Sequence, residues 1–504
     1  MPTINELRQV RVEKLKKIRQ MGLDPYPASF ERKQSNQQAR KMLGKKVVLA
    51  GRLRGIRIHG ASTFADFLDE SGRIQLFFSQ DELGDKYQLI KLLDLGDFIG
   101  VGGEVFKTEA GEVTVRVKDL TLLAKTLRPL PEKWHGLVDV ETRLRKRYLD
   151  LLVNPEIRQI FLKKAKFWQA IREYLGSKGF IEVETPVLES VPGGADARPF
   201  TTHHYALDID LYLRISLELH LKRLMVGGYE KVFEIGRVFR NEGIDAEHLQ
   251  DYTQMEFYWA YADYQDLMDL IEDFYKFIVK KTTGGLKTTR NGQEIDWSGK
   301  WPRHDYSTLF KEKTSLDPVK ASFEELYEKA ISLKLKPEKN LGRGRLIDLI
   351  YKKVVRPTLV QPSFLINLPV EISPLAKRCP DNPQLSQRIL IMAGGTELGN
   401  GFSELNDPID QKERFLEQQR LREAGDEEAQ MIDLDFVEAL EYGMPPTAGF
   451  GMSERLFSFL MDKPMRETVF FPPMRQDVTI IPSPAGVVPS SPGPIAKAKR
   501  KEKK

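Results

Sequence analysis

The residues best placed to do chemistry lie in one segment, 231–259, KVFEIGRVFRNEGIDAEHLQDYTQMEFYW. Its alternation reads as strand, loop, strand. Val232, Glu234, Gly236, Val238, Arg240 and Glu242 share one parity, and Gln254, Glu256 and Tyr258 share a face of the return strand. A hairpin of this kind presents Arg240, Glu242, Glu256 and Tyr258 to one concave face. An arginine buried among acids is costly unless it binds an anion, and a nucleotide phosphate clamped bidentately satisfies it. Taken by itself, the segment is more simply read as a surface hairpin with ordinary ion pairs. Cys379, the single cysteine, follows Arg378, and a passive cysteine is a plainer reading than a reactive thiol.

The elements that must hold this hairpin fall into two domains. Residues 1–44 form a helical segment, with Leu7, Val10, Val12, Leu15, Ile18 and Met21 at mostly helical spacing before Pro25 and Pro27. Over 45–128 the period changes to short β-rich runs, KVVLAGRLRGIRI, STFADFLD, GRIQLFF, DFIGVGGEVFKT and GEVTVRVKDLTLL, with one helical interruption, QDELGDKYQLIKLL. Five such strands match a small oligonucleotide-binding barrel. Alternation buries Ile74, Leu76 and Phe78 and leaves Arg73, Gln75 and Phe77 outside. In the last strand Glu112, Thr114, Arg116 and Lys118 fall outside. Phe64, beside Arg52, Arg54, Arg57 and His59, is the aromatic that could stack on splayed bases. From the barrel alone, Phe64 and Phe77 are more simply explained by packing in the barrel or an interface. A linker, 129–150, leads to a second domain over 151–476 that opens with a helix, FLKKAKFWQAIREYLGSKG. The segment 477–504, rich in Pro, Ser, Gly and Lys, reads as a disordered basic tail.

FRNEG followed by YTQMEFYWAYADY resembles motif 2 of the class II lysyl-tRNA synthetases. GFIEVETPVLES resembles motif 1, with Pro186 its proline, and PPTAGFGMSERLFSFLMD resembles motif 3, with Arg455 its arginine. GGADARPFTTHH, LYLRISLELHLKRLMVGGYE, VEISPLAK and ELGNGFSELNDPIDQKERF are similar to lysine-type blocks in the expected order. The resemblance runs from the first helix to about Arg475. It implies an α+β chain, with an N-terminal five-stranded barrel for the anticodon and an antiparallel-sheet catalytic domain flanked by helices. It further implies that Glu218 and the backbone at Gly194 hold the α-ammonium of lysine, and that Tyr258, Glu256, Glu404 and Asn400 surround its ε-ammonium. Arg240 would bridge the substrate carboxylate and the ATP α-phosphate. Glu242 would seat adenine, Tyr252 would stack on it, and His248 and Arg455 would meet the distal phosphates. Phe64, Gln75 and Glu112 would read the anticodon of tRNA(Lys). The partners implied are ATP, L-lysine and tRNA(Lys), with a homodimer formed through motif 1.

This agrees with the chemistry of the substrate. Lysine has two ammonium groups, so its pocket needs at least two carboxylates and further acceptors. Adenylate formation is an in-line attack of a carboxylate on the α-phosphate, which needs positioning and charge stabilisation but no protein nucleophile. The sequence departs from the family pattern in four places. Glu247 and Leu249 stand where Arg and Asn are usual, and Gln250-Asp251 replaces Pro-Glu. Motif 3 is a residue short and carries Glu454 for Asp. Leu390 occupies the place of the first Mg²⁺ carboxylate, leaving Glu397 as the metal ligand.

Composition narrows the alternatives. The chain has 504 residues, 41% of them hydrophobic, and no apolar run suited to a membrane span. The charged N-terminus has no apolar core of a secretion signal, and one cysteine excludes a disulfide framework or a Cys-rich zinc site, so a cytoplasmic protein is the economical reading. The formal net charge of +5 is accounted for by Lys497–Lys504, so any nucleic-acid surface must be a local patch. An aspartate- or asparagine-type synthetase would want cations or amides where Glu256 and Glu404 stand. A lysine ligase that modifies proteins would lack the barrel. A non-catalytic RNA-binding descendant would have no need to keep Arg240 and Arg455.

Overall fold

The computed structural model describes residues 2–131, 137–243, 248–337, 341–426 and 428–475. Glu247 and the segment expected to be a basic tail lie outside these residues. Contacts divide the chain into two compact units, Met1–Asp139 and Val140–Lys504.

The first unit opens with helix α1 (Ile4–Gln20), started by a reciprocal capping box between Thr3 and Glu6. A closed barrel follows, built from β1 (Lys46–His59), β2 (Ser62–Asp69), β3 (Gly72–Ser79), β4 (Phe98–Lys107) and β5 (Val113–Ala124) in the order β1-β2-β3-β5-β4. Alternation assigns its faces: Phe67, Ile74, Leu76, Phe78, Val101, Val105, Val115 and Val117 fill the interior, where Ile18 of α1 joins them. The helical interruption is three short turns, Gln80–Leu83, Gly84–Lys86 and Tyr87–Ile90. Thr114 departs from its expected exposure. It lies on the outer face yet is fully buried, its Oγ1 donating to Gln75 Oε1 at 2.9 Å.

The second unit is built on an eight-stranded sheet. Helix α2 (Pro155–Ser177) precedes β6 (Ile181–Glu182), and α3 (Glu218–Val226) precedes the hairpin β7 (Lys231–Phe239) and β8 (Asp251–Ala260). After α4 (Tyr264–Thr283) come β9 (Arg303–Asp305), α5 (Arg343–Val354), β10 (Ser363–Ile366), β11 (Arg388–Ala393) and β12 (Thr396–Ser403). Helices α6 (Pro408–Glu423) and α7 (Leu434–Glu441), β13 (Thr447–Ser453) and α8 (Arg455–Leu460) complete it. The strand order is β9-β10-β11-β12-β13-β8-β7-β6, antiparallel except at the two outer pairs. One face is a dry core in which Met255, Phe257, Phe450 and Met452 meet Phe167 and Ile171 of α2 and Ile271, Phe274 and Tyr275 of α4. The period of two in each strand therefore turns Tyr252, Gln254, Glu256 and Tyr258 to the opposite face. There α3, α6 and α7 enclose it, through a second cluster that includes Leu221, Val232, Tyr258, Phe402, Phe415 and Phe436. Among the described residues no helix is long and apolar enough to cross a membrane.

Candidate active site

On that opposite face lies a cavity of about 290 Å³ lined by Gly194, Ser216, Glu218, Arg240, Tyr252, Gln254, Glu256, Tyr258, Arg388, Glu397, Asn400, Phe402, Glu404 and Arg455, among others. It adjoins a larger cleft of about 650 Å³, lined in part by Glu242, His248, Tyr252, Arg388, Leu390, Glu397 and Arg455. The two share nine residues, Arg240, Tyr252, Arg388, Glu397 and Arg455 among them. The expected amino-acid and nucleotide residues are thus brought to one continuous depression from β8, β12, the starts of α3 and α8, and the loops beside them.

Five carboxylates line the smaller cavity, and three of them, Glu256, Glu218 and Glu404, differ in what they are paired with. Glu256 Oε1 accepts from Ser216 Oγ (2.7 Å), Leu217 N (3.1 Å) and Gln254 Nε2 (2.6 Å), and its Oε2 accepts from the Tyr258 hydroxyl (3.0 Å). Even so, burial, with the charge of Glu218 added, pushes this carboxyl up to about 7. Glu218 Oε1 accepts from Lys222 Nζ at 2.6 Å, one helical turn further along α3. Glu404, 1% exposed, stands 2.5 Å from the same ammonium through Oε2. That contact supplies Oε2, while Oε1 has no hydrogen-bond partner among the described residues. Burial pushes Glu404 well above the usual carboxylate range, and Glu218 and Glu256 add to this while Lys222 opposes it. A buried carboxylate with one oxygen short of donors has room for a further donor. Glycines make room for it: a Cβ on Gly449 would collide with Glu404 Oε1 and the ring of Tyr258. Glu234, by contrast, is occupied by Arg214, whose Nη1 lies 2.7 Å from Oε1.

The anion-binding side is equally defined. Arg240 follows β7 and is half-buried, less enclosed than the sequence implied. Its Nε donates to Ile215 O at 3.3 Å, and its guanidinium stands 5.6 Å from the centre of the Tyr252 ring. The backbone N of Arg240 donates to Gln250 O (2.7 Å), and Gln250 Nε2 donates to Gly243 O (3.1 Å), so Gln250 ties together the two ends of the loop. Leu249 is buried, which explains an apolar residue there. Arg455 starts α8, and its Nη1 reaches Glu397 O at 3.5 Å. The unusual Glu454 is fully buried, paired with Lys164 of α2 and accepting from Thr253 N at 3.2 Å. The short motif is thereby pinned to both neighbouring elements. Cys379 is passive in this setting, its thiol pushed up to about 11 by burial.

Two residues escaped the sequence reading. Lys222 was legible as the residue four positions after Glu218, the spacing of a helical ion pair. Arg388 donates Nε to Asn400 Oδ1 at 2.8 Å and Nη1 to Ile372 O. The amide oxygen of Asn400, expected near an ammonium, is therefore shared with a guanidinium. Only the pairing of β11 with β12 brings them together.

Leu390 is buried against Leu365 and the neighbouring apolar cluster. Among the described residues no group of three or more His, Cys, Asp or Glu could hold a metal ion. The donor set thus does not build an all-protein metal site. Glu397 is one of several carboxylates lining the larger cleft, with Glu242, Glu371, Glu413 and Glu417 among the others.

In the first unit, Phe64 and Phe77 face each other across β2 and β3 with ring centres 4.9 Å apart, and Phe106 lies 6.2 Å from Phe77. All three rings are half-exposed. Arg116 stands over Phe106 at 4.9 Å, and Arg73 bridges Asp66 (2.7 Å) and Glu112 (3.0 Å). Phe64, Gln75 and Glu112 therefore share one face, as expected, and Phe106 joins them by the parity of β4.

Residues 139–475 match the family described as tRNA synthetases class II (D, K and N), and residues 47–123 match the OB-fold nucleic acid binding domain. The chain belongs to the class II tRNA synthetases of this D, K and N group. Among its relatives are proteins named lysine–tRNA ligase. That of Thermoanaerobacter sp. (strain X514) is 50% identical over 482 residues, covering 94% of this chain and 96% of its own. That of Moorella thermoacetica is 49% identical, covering 94% and 98%, and that of Thermotoga maritima 47%, covering 93% and 96%.

Proposed function

We propose that this chain is a lysine–tRNA ligase, which activates L-lysine with ATP to lysyl-adenylate and transfers the lysyl group to the 3′ end of tRNA(Lys). The observation that carries the reading is Glu404, a fully buried carboxylate met through Oε2 by Lys222, with no hydrogen-bond partner for Oε1 among the described residues, beside Glu256 and Tyr258. An ε-ammonium completes this arrangement, whereas the side chain of aspartate would be repelled by it and that of asparagine would be a poor match.

Glu218 and the backbone at Gly194 would receive the α-ammonium, and Asn400 would contribute its remaining acceptor capacity. Arg240 would then hold the carboxylate against the α-phosphate, with Tyr252 and Glu242 seating the adenine. His248 and Arg455 would take the distal phosphates. Attack is in line and proceeds without a covalent enzyme intermediate, so positioning and charge stabilisation supply the rate. Magnesium bound to the phosphates, with Glu397 as its protein ligand, would neutralise part of the phosphate charge. The barrel would read the anticodon with Phe64, Gln75 and Glu112, and the chain would act as a cytoplasmic homodimer.

Pyrophosphate exchange with lysine, aspartate and asparagine, followed by aminoacylation of tRNA, tests the reading. Exchange with lysine and charging of tRNA(Lys) are expected. Exchange with either of the other amino acids in place of lysine would overturn it.

A further inference from the structure

The residue that the proposed chemistry leaves unused is Lys222. It is completely buried, yet it does not line the amino-acid cavity. From behind, its ammonium touches Glu218 at 2.6 Å and Glu404 at 2.5 Å, two carboxylates that face inward from α3 and from the end of β12. The rings of Phe402 and Phe436 cover it, with centres 5.2 Å and 5.9 Å away. A lysine sealed in this way loses its hydration and keeps its charge only because both acids hold it. Burial works to lower its pKa, and the charges of Glu218 and Glu404 outweigh burial and raise it.

The other titratable groups facing this cluster are Glu256 and Tyr258 from β8, and Arg388 from β11, which lies on the side shared with the larger cleft. When ionised, Glu218, Glu256 and Glu404 bring three negative charges to one small cavity. Carboxylates this close cannot all remain ionised unaided. Lys222 offsets one unit of the charge of these three acids, while Asp196, Glu397, Arg240, Arg388 and Arg455 line the rest of the cavity.

We propose that Lys222 is the built-in counter-ion of the amino-acid pocket, a positioning residue that orients Glu218 and Glu404 and offsets part of their charge. The inference rests on the lysine reading above. Without Lys222, Glu404 would retain a proton to higher pH, and lysine binding would have to displace it.

The test uses the full chain in pyrophosphate exchange with lysine and ATP, from about pH 6 to about pH 8.5, a range that brackets Glu256 at about 7. Lys222→Met keeps the length and removes the charge. It is expected to raise the KM for lysine about tenfold or more while leaving that for ATP within about twofold. Its lysine KM should also fall with pH over a range displaced upward from that of the wild type. Lys222→Arg keeps the charge and should restore the wild-type pH profile, even if its larger head raises KM. An unchanged lysine KM and pH profile in Lys222→Met would overturn the proposal, as would a parallel loss for both substrates together with a lowered melting temperature. Should the Met variant not fold, the Arg variant decides: a displaced pH profile with the charge retained overturns the proposal, and a wild-type profile supports it. Failure of the wild-type chain to exchange with lysine would refute the function reading, whereas an active wild type with an indifferent Lys222→Met refutes only this inference.

Discussion

Gly194 packs directly on Glu218: a Cβ at Gly194 would lie 2.9 Å from the Cβ of Glu218 and 3.0 Å from Ser216 Oγ. Its φ of +83° is also one that side-chain-bearing residues rarely adopt. The loop and the start of α3 are therefore held at a separation that only glycine permits. Gly194→Ala should raise the KM for lysine, since any relief of the clash moves Glu218 or the backbone that would receive the α-ammonium. The strained φ adds about 1–2 kcal/mol of destabilisation. Steady-state exchange kinetics and a thermal melt check both effects. A lysine KM equal to that of the wild type would show that this contact is irrelevant to binding.

Glu404→Gln should raise the KM for lysine far more than that for ATP. The amide would leave the ε-ammonium and Lys222 both underpaired in a buried site, a cost of about 2–5 kcal/mol. Isothermal titration of lysine against the variant measures it, and undiminished affinity would remove Glu404 from the pocket.

The pH dependence follows from Glu256, whose carboxyl is raised to about 7 from an ordinary 4.5. A bound ammonium favours the ionised form, so below about pH 7 lysine must expel a proton in order to bind. The KM for lysine should therefore fall as pH rises from about 6 to about 8 and level off above. The folded, lysine-free chain holds a proton that the unfolded chain has lost between about pH 4.5 and 7, so this group's contribution to stability declines as pH rises through that window. Consequently lysine should raise the melting temperature more at pH 8 than at pH 6. A lysine KM flat across this range would contradict the assignment of Glu256.

Phe64→Ala should impair aminoacylation while sparing lysine-dependent pyrophosphate exchange. One stacked base is worth about 1–3 kcal/mol, and adenylate formation does not need the barrel. Phe64 also packs on Phe77, so a thermal melt should accompany the kinetics. Loss of both reactions together would make Phe64 a structural residue.

Glu397→Gln should abolish or nearly abolish adenylate formation, because Leu390 offers no oxygen to compensate. Leu390→Glu should lower the Mg²⁺ concentration needed for half-maximal activity. It should also lower the melting temperature, since the new carboxylate would replace a side chain packed against Leu365. Full activity of Glu397→Gln at millimolar Mg²⁺ would mean that ATP and water alone hold the ion.

The sequence by itself determined the strands, their faces and the residue types of the site. The period of two in 72–79 and 251–260 assigns Phe77 and Glu256 to their sides of the sheet, because successive side chains must point oppositely. The order of the blocks from GFIEVETPVLES to GFGMSER identified the family. What periodicity cannot carry is the meeting of distant segments. Glu218, Glu256 and Glu404 were each nameable, but that all three line a single cavity, with Lys222 behind two of them, depends on β12, β13 and β8 lying side by side. Arg388 and Asn400 meet only through the register of β11 on β12. Thr114, polar and on an outer face, is buried because Gln75 accepts its hydroxyl, a pairing of two strands 39 residues apart. Burial, and with it the charge state of every acid in the site, is a property of what packs around a residue, and that is decided when the sheet and its covering helices assemble.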